Sequence, residues 1–540
     1  MKITFTNKLP ISFVSDKILA RVIHGVLAFL GAVLVLKAAS TFRWRMELDT
    51  PLLHYAAFLM DKYHAVPYRD FFETSMPGTF AFHYSIVKLF GYSDLAFRCV
   101  DLALLSLLLS ATYLFMSRFG KISAFWASIV FGLIYLSFGQ TMSLQRDYIG
   151  TILVALTLIC IPRQTSTTVR MWRFALVGFL FGAAALIKPH LAITLPVISG
   201  ALLMIRWKTV QRTIGDFARC ITILALSFAF PIMIAVVWLA AHSALIPFIS
   251  IFFDYLPLHS SLTGEQQSLS SSDHIVYLIL KTLSLGYYTF LFLCSLFALH
   301  QAWIHVYNNG LDRIWLICLL FCTILYALYP ALAGKFWDYH YMPFAYFCSI
   351  STGTYFAAER RHNTVQEAWQ LKKLLVLIIF LLVLIIQVRS APFLSSLVHD
   401  LEGAESHAPR NGRVDEIATW LQTRLHPGDT VQPLDWTGGS IHAMLLAQAK
   451  LSTTFMYDYH FYHNVSSPYI QGLRSEFIRQ LFRTPPRFII EVQTDKPWVS
   501  GIDTTRAFPE LHAFMNRYYA VACEGKGYVI YERTSSIGSQ

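Results

Sequence analysis

The sequence is short of charge. Of its 540 residues only 14% are Asp, Glu, Lys or Arg, whereas 55% are hydrophobic. Soluble domains carry about 25% charged residues, so this chain has roughly half of the usual share. The shortage excludes a disordered scaffold and a simple nucleic-acid binder. A mean hydropathy of +0.49 indicates a chain that needs a nonpolar solvent, and we therefore predict a polytopic α-helical membrane protein.

Cysteine is also scarce, and its placement carries little chemistry. Seven of the 8 cysteines fall in apolar stretches, and Cys523 stands alone in a polar region. This pattern excludes a disulfide-dense secreted module, and the lack of any Cys-x-x-Cys pair argues against a structural zinc site. The glycine fingerprint G-x-G-x-x-G of dinucleotide-binding folds is absent as well.

Long apolar runs are what the sequence does have. A helix that crosses a bilayer needs about 20 mostly apolar residues. Lys188-Pro189-His190 divides one long run into two, because proline ends a helix. We predict about eleven transmembrane helices. They lie at about 18–38, 95–117, 122–138, 147–162, 173–188, 190–206, 218–241, 275–299, 314–333, 339–357 and 372–390.

The loop charges predict an orientation. Lys and Arg gather in alternate loops and at the N-terminus, whereas the long loop 242–274 has neither. The positive-inside rule then places the N-terminus in the cytoplasm, and an odd number of spans places the residues after 390 outside. The first span is not a cleaved signal peptide, because Arg43-Trp44-Arg45 follows it in place of a small-residue cleavage site. We expect a bacterial inner-membrane protein with a periplasmic C-terminal domain.

The last part of the chain differs in kind from the rest. It is polar and mixes one amphipathic helix with short β-like runs, the last of which resembles a hairpin across Gly525-Lys526-Gly527. We predict a membrane domain over residues 1–390 and a small soluble α/β domain over residues 391–540. The predicted helix covers 412–425, and the predicted strands cover 430–434, 487–493 and 519–533.

Two long external connections, 39–94 and 242–274, interrupt the membrane domain, and long loops in compact proteins are usually functional. The first is rich in acids, namely Glu47, Asp49, Asp61, Asp70 and Glu73. Residues 51–63 look amphipathic, which predicts a helix at the membrane interface. Asp49 follows the first span almost directly, so burial would raise its pKa and make it a competent base. An ion pair with Arg43 or Arg45 would explain an acid at position 49 equally well, without a catalytic role.

Cations cluster on the same predicted side. Arg146-Asp147 opens the fourth span, Lys188 and His190 lie at a break between spans, and Lys335-Phe336-Trp337-Asp338-Tyr339-His340 ends another. Asp147 could merely interact favourably with the dipole of the helix that it opens. Lys188 could merely extend its ammonium group to the membrane interface. Together, however, cations can bind a lipid-linked phosphate while a carboxylate deprotonates an acceptor hydroxyl. This combination suits glycosyl transfer from a polyprenyl-phosphate sugar.

Six motifs follow one another over about 300 residues. They are LDTPLLHYAAFLM (48–60), PYRDFFETSMPGTFAFH (67–83), FGYSDLAFR (90–98), QRDYIG (145–150), ALIKP (185–189) and KFWDYHYMP (335–343). As an ordered set they resemble the GT-C membrane glycosyltransferases, in particular bacterial relatives of dolichyl-phosphate-mannose protein mannosyltransferase and of the lipid A aminoarabinose transferase.

The resemblance implies roles for individual residues. Asp49 would be the base on the acceptor, and Asp70 or Glu73 would be a second functional acid. Glu47 departs from the single acid of the family and would be either another functional acid or a partner for Arg43. The remaining implied residues hold the donor phosphate (Arg146, Lys188, Lys335, His340) or contact substrate (Asp147, Tyr68, Arg69, Asp338, Tyr339).

The resemblance also implies a GT-C fold, inversion at the sugar, and a polyprenyl-phosphate donor in place of a nucleotide sugar. The acceptor would be a lipid, a polysaccharide or a protein at the outer face of the membrane, with no nucleic acid among the partners. The resemblance leaves open whether the reaction needs a divalent metal, Mg²⁺ or Mn²⁺.

Three other functions compete with this interpretation. A transporter or flippase of lipid-linked sugars would place charges in mid-span and show two related halves, whereas here the charges collect at span ends. A non-catalytic membrane assembly protein would not require an acid-rich loop facing several cations. An O-antigen ligase or polymerase would carry its main functional loop later in the chain. The cluster Tyr457–His463 (YDYHFYH) either stacks on sugar or packs on the membrane domain.

Overall fold

The computed structural model describes residues 16–162, 169–209, 213–305, 310–357, 366–390 and 409–534. The part up to Ser390 is helical, and the part from Pro409 combines helices with a sheet. The helices of the first part are α1 (Asp16–Ser40), α2 (Asp49–Tyr63), α3 (Pro77–Phe90), α4 (Asp94–Met116), α5 (Lys121–Ser137), α6 (Arg146–Ile159), α7 (Met171–Ile187), α8 (Leu195–Thr209), α9 (Ile214–Ala241), α10 (Leu245–Ser250), α11 (Leu256–Ser260), α12 (Ser271–Ser284), α13 (Thr289–His305), α14 (Gly310–Ala333), α15 (Met342–Gly353) and α16 (Gln366–Ser390).

Each predicted span coincides with helix. Among the described residues, 6 helical stretches are long and apolar enough to cross a membrane. Others are shorter: α5 and α7 have 17 residues each and α6 has 14. At 1.5 Å per residue, 17 residues cover about 26 Å, a little less than a hydrocarbon core. The protein is therefore a polytopic helical membrane protein, while the count of eleven crossings stays a prediction.

The predicted span 275–299 is interrupted. Leu285 has a left-handed backbone (φ 50°) and Gly286 follows with φ 56°, which ends α12 and starts α13. Along α12, Ile275, Val276 and Ile279 are exposed, as expected for an apolar face in contact with lipid. Sequence hydropathy cannot show such a break, because the residues on both sides of it are apolar.

The predicted helix 51–63 is present as α2, but it does not lie at an open interface. Residues Thr50–Leu59 of α2 are all buried. Helix α3 packs on one side, and a short helix from the C-terminal part packs on the other. The Tyr55 hydroxyl donates to the Ala449 carbonyl at 2.8 Å. The apolar face that suggested membrane contact is covered by protein.

Close packing of α7 on α9 fixes the position of the loop that follows α7. Gly178 and Gly182 face α9, where an added Cβ would lie 2.4 Å from the Leu224 carbonyl oxygen and 2.2 Å from the Phe228 carbonyl oxygen. Small residues four apart are the usual means by which two membrane helices approach this closely. This packing fixes α7, whose last residue, Ile187, directly precedes Lys188.

The C-terminal α/β domain contains a mixed five-stranded sheet. In spatial order its strands are β3 (Lys450–Leu451), β2 (Thr430–Leu434), β4 (Phe488–Val492), β7 (Tyr528–Arg533) and β6 (Tyr519–Gly525). Strand β2 is parallel to β3 and β4, and β7 is antiparallel to β4 and β6. The predicted strands 430–434, 487–493 and 519–533 are confirmed as β2, β4 and the β6–β7 hairpin. The elements are α17 (Pro409–Arg424), β2 (Thr430–Leu434), α18 (Ser440–Leu446), β3 (Lys450–Leu451), α19 (Pro468–Arg483), β4 (Phe488–Val492), α20 (Pro509–Tyr518), β6 (Tyr519–Gly525) and β7 (Tyr528–Arg533).

Backbone pairing joins this domain to the loops of the membrane domain. The strand β1 (Gln267–Ser268) pairs in parallel with β5 (Ser500–Gly501). The Phe72 N–H donates to the Thr454 carbonyl at 2.7 Å. The predicted boundary between residues 390 and 391 falls where the described residues stop at Ser390, so that boundary stays a prediction.

Candidate active site

Asp49 is the centre of a polar cluster at the end of the helix bundle that bears the C-terminal domain. It is the first residue of α2, and Leu48 before it has the strained backbone φ 55°, ψ −121°. Strain of this kind is retained where the surrounding structure demands it, and it often marks a functional position. The Asp49 carboxylate accepts from the Arg146 guanidinium at 3.1 Å and from the Tyr339 hydroxyl at 3.3 Å. Its side chain keeps 16% of its surface exposed, so it is open to a ligand.

Arg146 connects Asp49 to a second outer loop. It is the first residue of α6 and follows Gln145, which is extended. While Nη2 contacts Asp49, Nη1 donates to the Ser75 hydroxyl at 3.0 Å. The guanidinium therefore joins the first residue of α2 and the loop before α3 to the start of α6. Asp49 therefore pairs with Arg146. Arg45, one of the two alternative partners, pairs with Asp94 and Asp415.

Glu73 is the second acid of the cluster. Its Oε1 accepts from the Ser75 N–H at 3.1 Å and from the Thr74 N–H at 2.9 Å. Its Oε2 is buried and makes no hydrogen bond that meets normal geometry with any described residue. Burial raises the pKa of Glu73, while the nearby Arg146 opposes that rise. A buried carboxylate oxygen of this kind can accept a hydrogen bond from a ligand or coordinate a cation.

A second ion pair lies beside the first. Asp147, adjacent to Arg146, is fully buried and accepts from the Lys188 ammonium at 3.0 and 3.1 Å. The Tyr329 hydroxyl donates to the same carboxylate. The Lys188 ammonium also lies 5.8 Å from the centre of the Tyr339 ring, so Tyr339 contacts both pairs. Lys188 is thus fixed by Asp147 and does not snorkel.

Lys335 and His340 lie at the edge of this cluster. The Lys335 ammonium donates to the carbonyls of His259 and Leu262 at 2.8 and 2.7 Å. Burial lowers its pKa to about 7. His340 is buried against the Tyr339 ring, and its Nδ1 has no partner among the described residues. Lys335 therefore anchors the loop after α11, whereas His340 keeps a free ring nitrogen.

Other predicted site residues lie outside the cluster. Asp70 and Arg69 form a bidentate pair at 2.8 Å that is partly exposed to solvent. Tyr68 is buried, and its hydroxyl donates to the Ser75 carbonyl at 2.6 Å, which supports the loop that holds Glu73. Asp338 is exposed. Glu47 lines a small cavity against the C-terminal domain. Of the two candidate second acids, Glu73 is the one that the fold brings to Arg146.

Some residues of the site were not predicted from the sequence. Ser75 and Tyr329 bond directly to Arg146 and Asp147, but nothing in the local pattern distinguishes them from other hydroxyl residues. Tyr457, from the C-terminal domain, is buried with its hydroxyl facing the Glu73 carboxylate. The segment Tyr457–His463 is buried against the membrane domain, which agrees with packing and not with an exposed sugar platform.

Comparison with solved structures defines the class of fold. ArnT from Cupriavidus metallidurans, bound to undecaprenyl phosphate, has a TM-score of 0.56 and 12% identity over 96% of this chain and 99% of its own. Its apo form gives a TM-score of 0.57 and 14% identity, with 96% of this chain and 100% of its own covered. The predicted fold, a polytopic helical membrane domain followed by a C-terminal domain that contains a sheet, is thereby confirmed, and it is similar to the fold of ArnT.

Other comparisons are weaker. The archaeal oligosaccharyltransferase AglB from Archaeoglobus fulgidus has a TM-score of 0.46 and 10% identity over 86% of this chain and 69% of its own. No known family profile matches the chain, and no curated protein matches its sequence.

Proposed function

We propose that the protein is an inverting glycosyltransferase that moves a sugar from a polyprenyl-phosphate donor to an acceptor hydroxyl at the outer face of a membrane. The observation that carries this proposal is the convergence on Asp49. Its carboxylate meets Arg146 and Tyr339 from distant parts of the chain, with the Lys188–Asp147 pair and Glu73 alongside. Undecaprenyl phosphate is the lipid named in one of the ArnT structures that share this fold.

Asp49 is the general base of the proposed reaction. It takes the proton of the acceptor hydroxyl while the acceptor oxygen attacks the anomeric carbon. The bond between that carbon and the phosphate oxygen breaks, and the electron pair leaves with polyprenyl phosphate. A single displacement inverts the anomeric configuration. Partial exposure lets Asp49 reach an acceptor, and the hydrogen bond from Tyr339 orients the carboxylate.

Arg146 and Lys188 bind the donor phosphate in this proposal. A guanidinium can hold a carboxylate and a phosphate oxygen at once, since it has five N–H donors. Arg146 would thus fix the distance between base and leaving group. Lys188 adds a second charge, and His340 has a free ring nitrogen that faces the same aromatic residues. Electrostatic stabilisation of a leaving phosphate is commonly a large part of catalysis.

A divalent cation is compatible with these residues. No group of three or more His, Cys, Asp or Glu side chains is arranged to hold a metal among the residues that the structure describes. Mg²⁺, however, often binds through one or two carboxylates plus substrate phosphates. The buried carboxylate of Glu73, which faces the Tyr457 hydroxyl, would fit such a role with Asp49 nearby. Bound there, Mg²⁺ or Mn²⁺ would neutralise charge on the donor phosphate.

The test is sugar transfer by purified protein, with radiolabelled polyprenyl-phosphate sugars as donors and a membrane-lipid extract as acceptor. We expect Asp49→Asn to lose at least about a hundredfold in rate, because general bases contribute 10²–10⁴-fold. Asp61→Asn is the matched control. It removes the same charge from the same helix, but Asp61 pairs with Lys88 and Tyr92 away from the cluster.

Equal activity of Asp49→Asn and wild type would remove Asp49 from the base role and leave Glu73 as the next candidate. Failure of wild type to transfer from any polyprenyl-phosphate donor would contradict the proposed activity itself. Loss of activity in both Asp49→Asn and Asp61→Asn would point to damage of α2 in place of loss of a base.

A further inference from the structure

A large cleft lies where the C-terminal domain meets the membrane domain, apart from the polar cluster. We name it the seam cleft; its lining includes Tyr63, Arg69, Lys450, Thr454, Arg479 and Arg483. Its volume is about 710 Å³, which is within the usual range for ligand sites. The cleft lies at the C-terminal end of α2, whereas Asp49 is the first residue of that helix. The 14-residue step from Asp49 to Tyr63 is about 21 Å along the helix axis.

The charge of the seam cleft is positive. Two of its cations are neutralised locally, since Arg69 pairs with Asp70 and Arg479 pairs with Glu476. Lys450 and Arg483 form no ion pair with any described residue. Lys450 lies only over the Tyr63 ring, at 5.3 Å from its centre. Two uncompensated cations, at the strand β3 and at the end of α19, favour an anionic occupant, and phosphate is the anion that Arg and Lys bind best together.

The rest of the lining favours a sugar chain. Beside the charged residues, five lining side chains carry hydroxyl or amide groups, which is the chemistry that hydrogen-bonds to glycan hydroxyls. They are Ser452, Thr453, Thr454, Gln480 and Thr484. The apolar lining comes from Leu59, Ala65, Leu451 and the Tyr63 ring, and the charged groups among these side chains disfavour a hydrophobic helix or a lipid tail.

The two ends of the seam cleft connect the membrane surface with the proposed active site. At one end, Arg69 donates to the carbonyl of His242, which directly follows the membrane helix α9. At the other end, the Thr454 carbonyl accepts from the Phe72 N–H, and Glu73 is the next residue. A headgroup that extends from the bilayer could therefore lie in the cleft and reach toward Glu73.

We infer that the seam cleft binds a phosphate-bearing oligosaccharide, the distal part of a membrane-anchored acceptor. This inference rests on the proposed glycosyl transfer and specifies its acceptor as an anionic glycan held some distance from the reacting hydroxyl. Lys450 and Arg483 bind the phosphate, and the threonine-rich wall hydrogen-bonds the sugars. The cleft thereby selects acceptors by charge before their hydroxyl meets Asp49.

The test measures binding by calorimetry to the purified full chain without any donor. The probes are maltopentaose carrying one phosphate monoester and unmodified maltopentaose. We expect the phosphorylated probe to bind at least about tenfold more tightly, as one charge-assisted contact implies. The double variant Lys450→Gln, Arg483→Gln should lose at least about tenfold in affinity for that probe.

The matched control is Arg517→Gln, Lys526→Gln, which removes the same charge from exposed positions of the same domain that do not line the cleft. We expect this control to bind like wild type. Equal affinity for the two probes, or equal losses in the two double variants, would overturn the inference. So would displacement of the probe by an equal concentration of inorganic phosphate, since the cleft would then recognise phosphate alone.

These experiments distinguish failure of the inference about the seam cleft from failure of the proposed sugar transfer. Asp49→Asn should bind the phosphorylated probe as wild type does, because Asp49 lies at the other end of α2 from the cleft. Wild type that binds the probe but transfers no sugar would contradict the proposed enzyme and leave the seam cleft as an anionic-glycan site. Wild type that transfers sugar but does not distinguish the probes would contradict only the inference about the cleft.

Discussion

At the scale of single residues, the site is a set of paired charges with two openings. Asp49 and Arg146 form one pair and Asp147 and Lys188 form another, and each pair has a tyrosine hydroxyl bound to its carboxylate. Pairing keeps these charges stable in a poorly hydrated place. The openings are the exposed edge of Asp49 and the unpartnered Oε2 of Glu73. The edge of Asp49 is open to substrate, whereas Glu73 is buried and its carboxylate faces the Tyr457 hydroxyl.

The roles of Glu73 and Asp70 in transfer can be distinguished by mutation. Glu73→Gln keeps an oxygen that can accept from the Thr74 and Ser75 N–H groups but removes the charge beside Arg146. We expect transfer activity to fall by about tenfold or more, with little change in melting temperature. Asp70→Asn breaks only a partly exposed pair, so its activity should fall less than about threefold. Equal losses in steady-state transfer assays would contradict the distinction.

Lys335 should make stability depend on pH. Its pKa in the folded protein is lowered to about 7 by burial, so above pH 7 the folded state has lost a proton that the unfolded state keeps. Between about pH 7 and 10 wild type should therefore gain stability relative to Lys335→Met as pH rises, by at most about 1.4 kcal/mol per pH unit. Below pH 7 the difference should be constant. Melting temperatures of both proteins across this range test the sign, and a difference that falls as pH rises would contradict it.

At the scale of elements, the helices that hold the site are set by their ends and by close contacts. Asp49 and Arg146 are the first residues of α2 and α6, and Lys188 follows the last residue of α7. Hydropathy predicts the bodies of such helices well, because burial in lipid requires long apolar runs. It does not predict that α2 is covered by α18, since that contact joins residues far apart in the chain.

The same reasoning explains which site residues could be predicted. Charged residues at the ends of apolar runs, such as Asp49, Arg146 and Lys188, can be recognised in the sequence because charge is rare in those surroundings. Tyr329 and Ser75 cannot be recognised in the same way, because hydroxyl side chains are common in apolar and loop segments. Only the fold brings Tyr329 to Asp147 and Ser75 to Arg146. The choice between Asp70 and Glu73 likewise depends on how the loop before α3 turns, which the spacing does not determine.

The contact between α7 and α9 predicts a matched pair of glycine variants. A Cβ at Gly182 would lie 2.2 Å from the Phe228 carbonyl oxygen, whereas a Cβ at Gly200 in α8 meets nothing within 4 Å. We expect Gly182→Ala to cost about 1–3 kcal/mol through overpacking and to lower activity by shifting Lys188. Gly200→Ala should be neutral or slightly stabilising, since alanine favours helix. Equal melting temperatures of the two variants would refute this contact.

At the scale of the whole molecule, the C-terminal domain is part of the architecture that holds the site. Its backbone pairs with two loops of the membrane domain, through β1 with β5 and through Phe72 with Thr454. The side chains of Arg45 and Asp415 add an ion pair between the two parts at 2.9 Å. Because Phe72 precedes Glu73, movement of this domain would displace the second acid.

Loosening the domain contact should therefore be measurable. The Ile502 N–H donates to the Ser268 carbonyl at 3.1 Å beside the β1–β5 pair. Ile502→Pro removes that donor, whereas Ile502→Ala keeps it and changes only an exposed side chain. We expect hydrogen exchange at residues 266–268 to rise by about tenfold in the proline variant, as loss of one hydrogen bond of about 1.4 kcal/mol implies. Identical exchange in both variants would contradict the role of this pairing.

The most direct test of the central claim follows both products of one reaction. Purified wild type in proteoliposomes is given a polyprenyl-phosphate sugar of known anomeric configuration, and the glycosylated product and the free polyprenyl phosphate are analysed by NMR and mass spectrometry. The account predicts one polyprenyl phosphate released per sugar transferred, with the anomeric configuration inverted. Retention of configuration would contradict a single displacement assisted by Asp49. Movement of the intact lipid-linked sugar across the bilayer without cleavage would identify a transporter in place of a transferase.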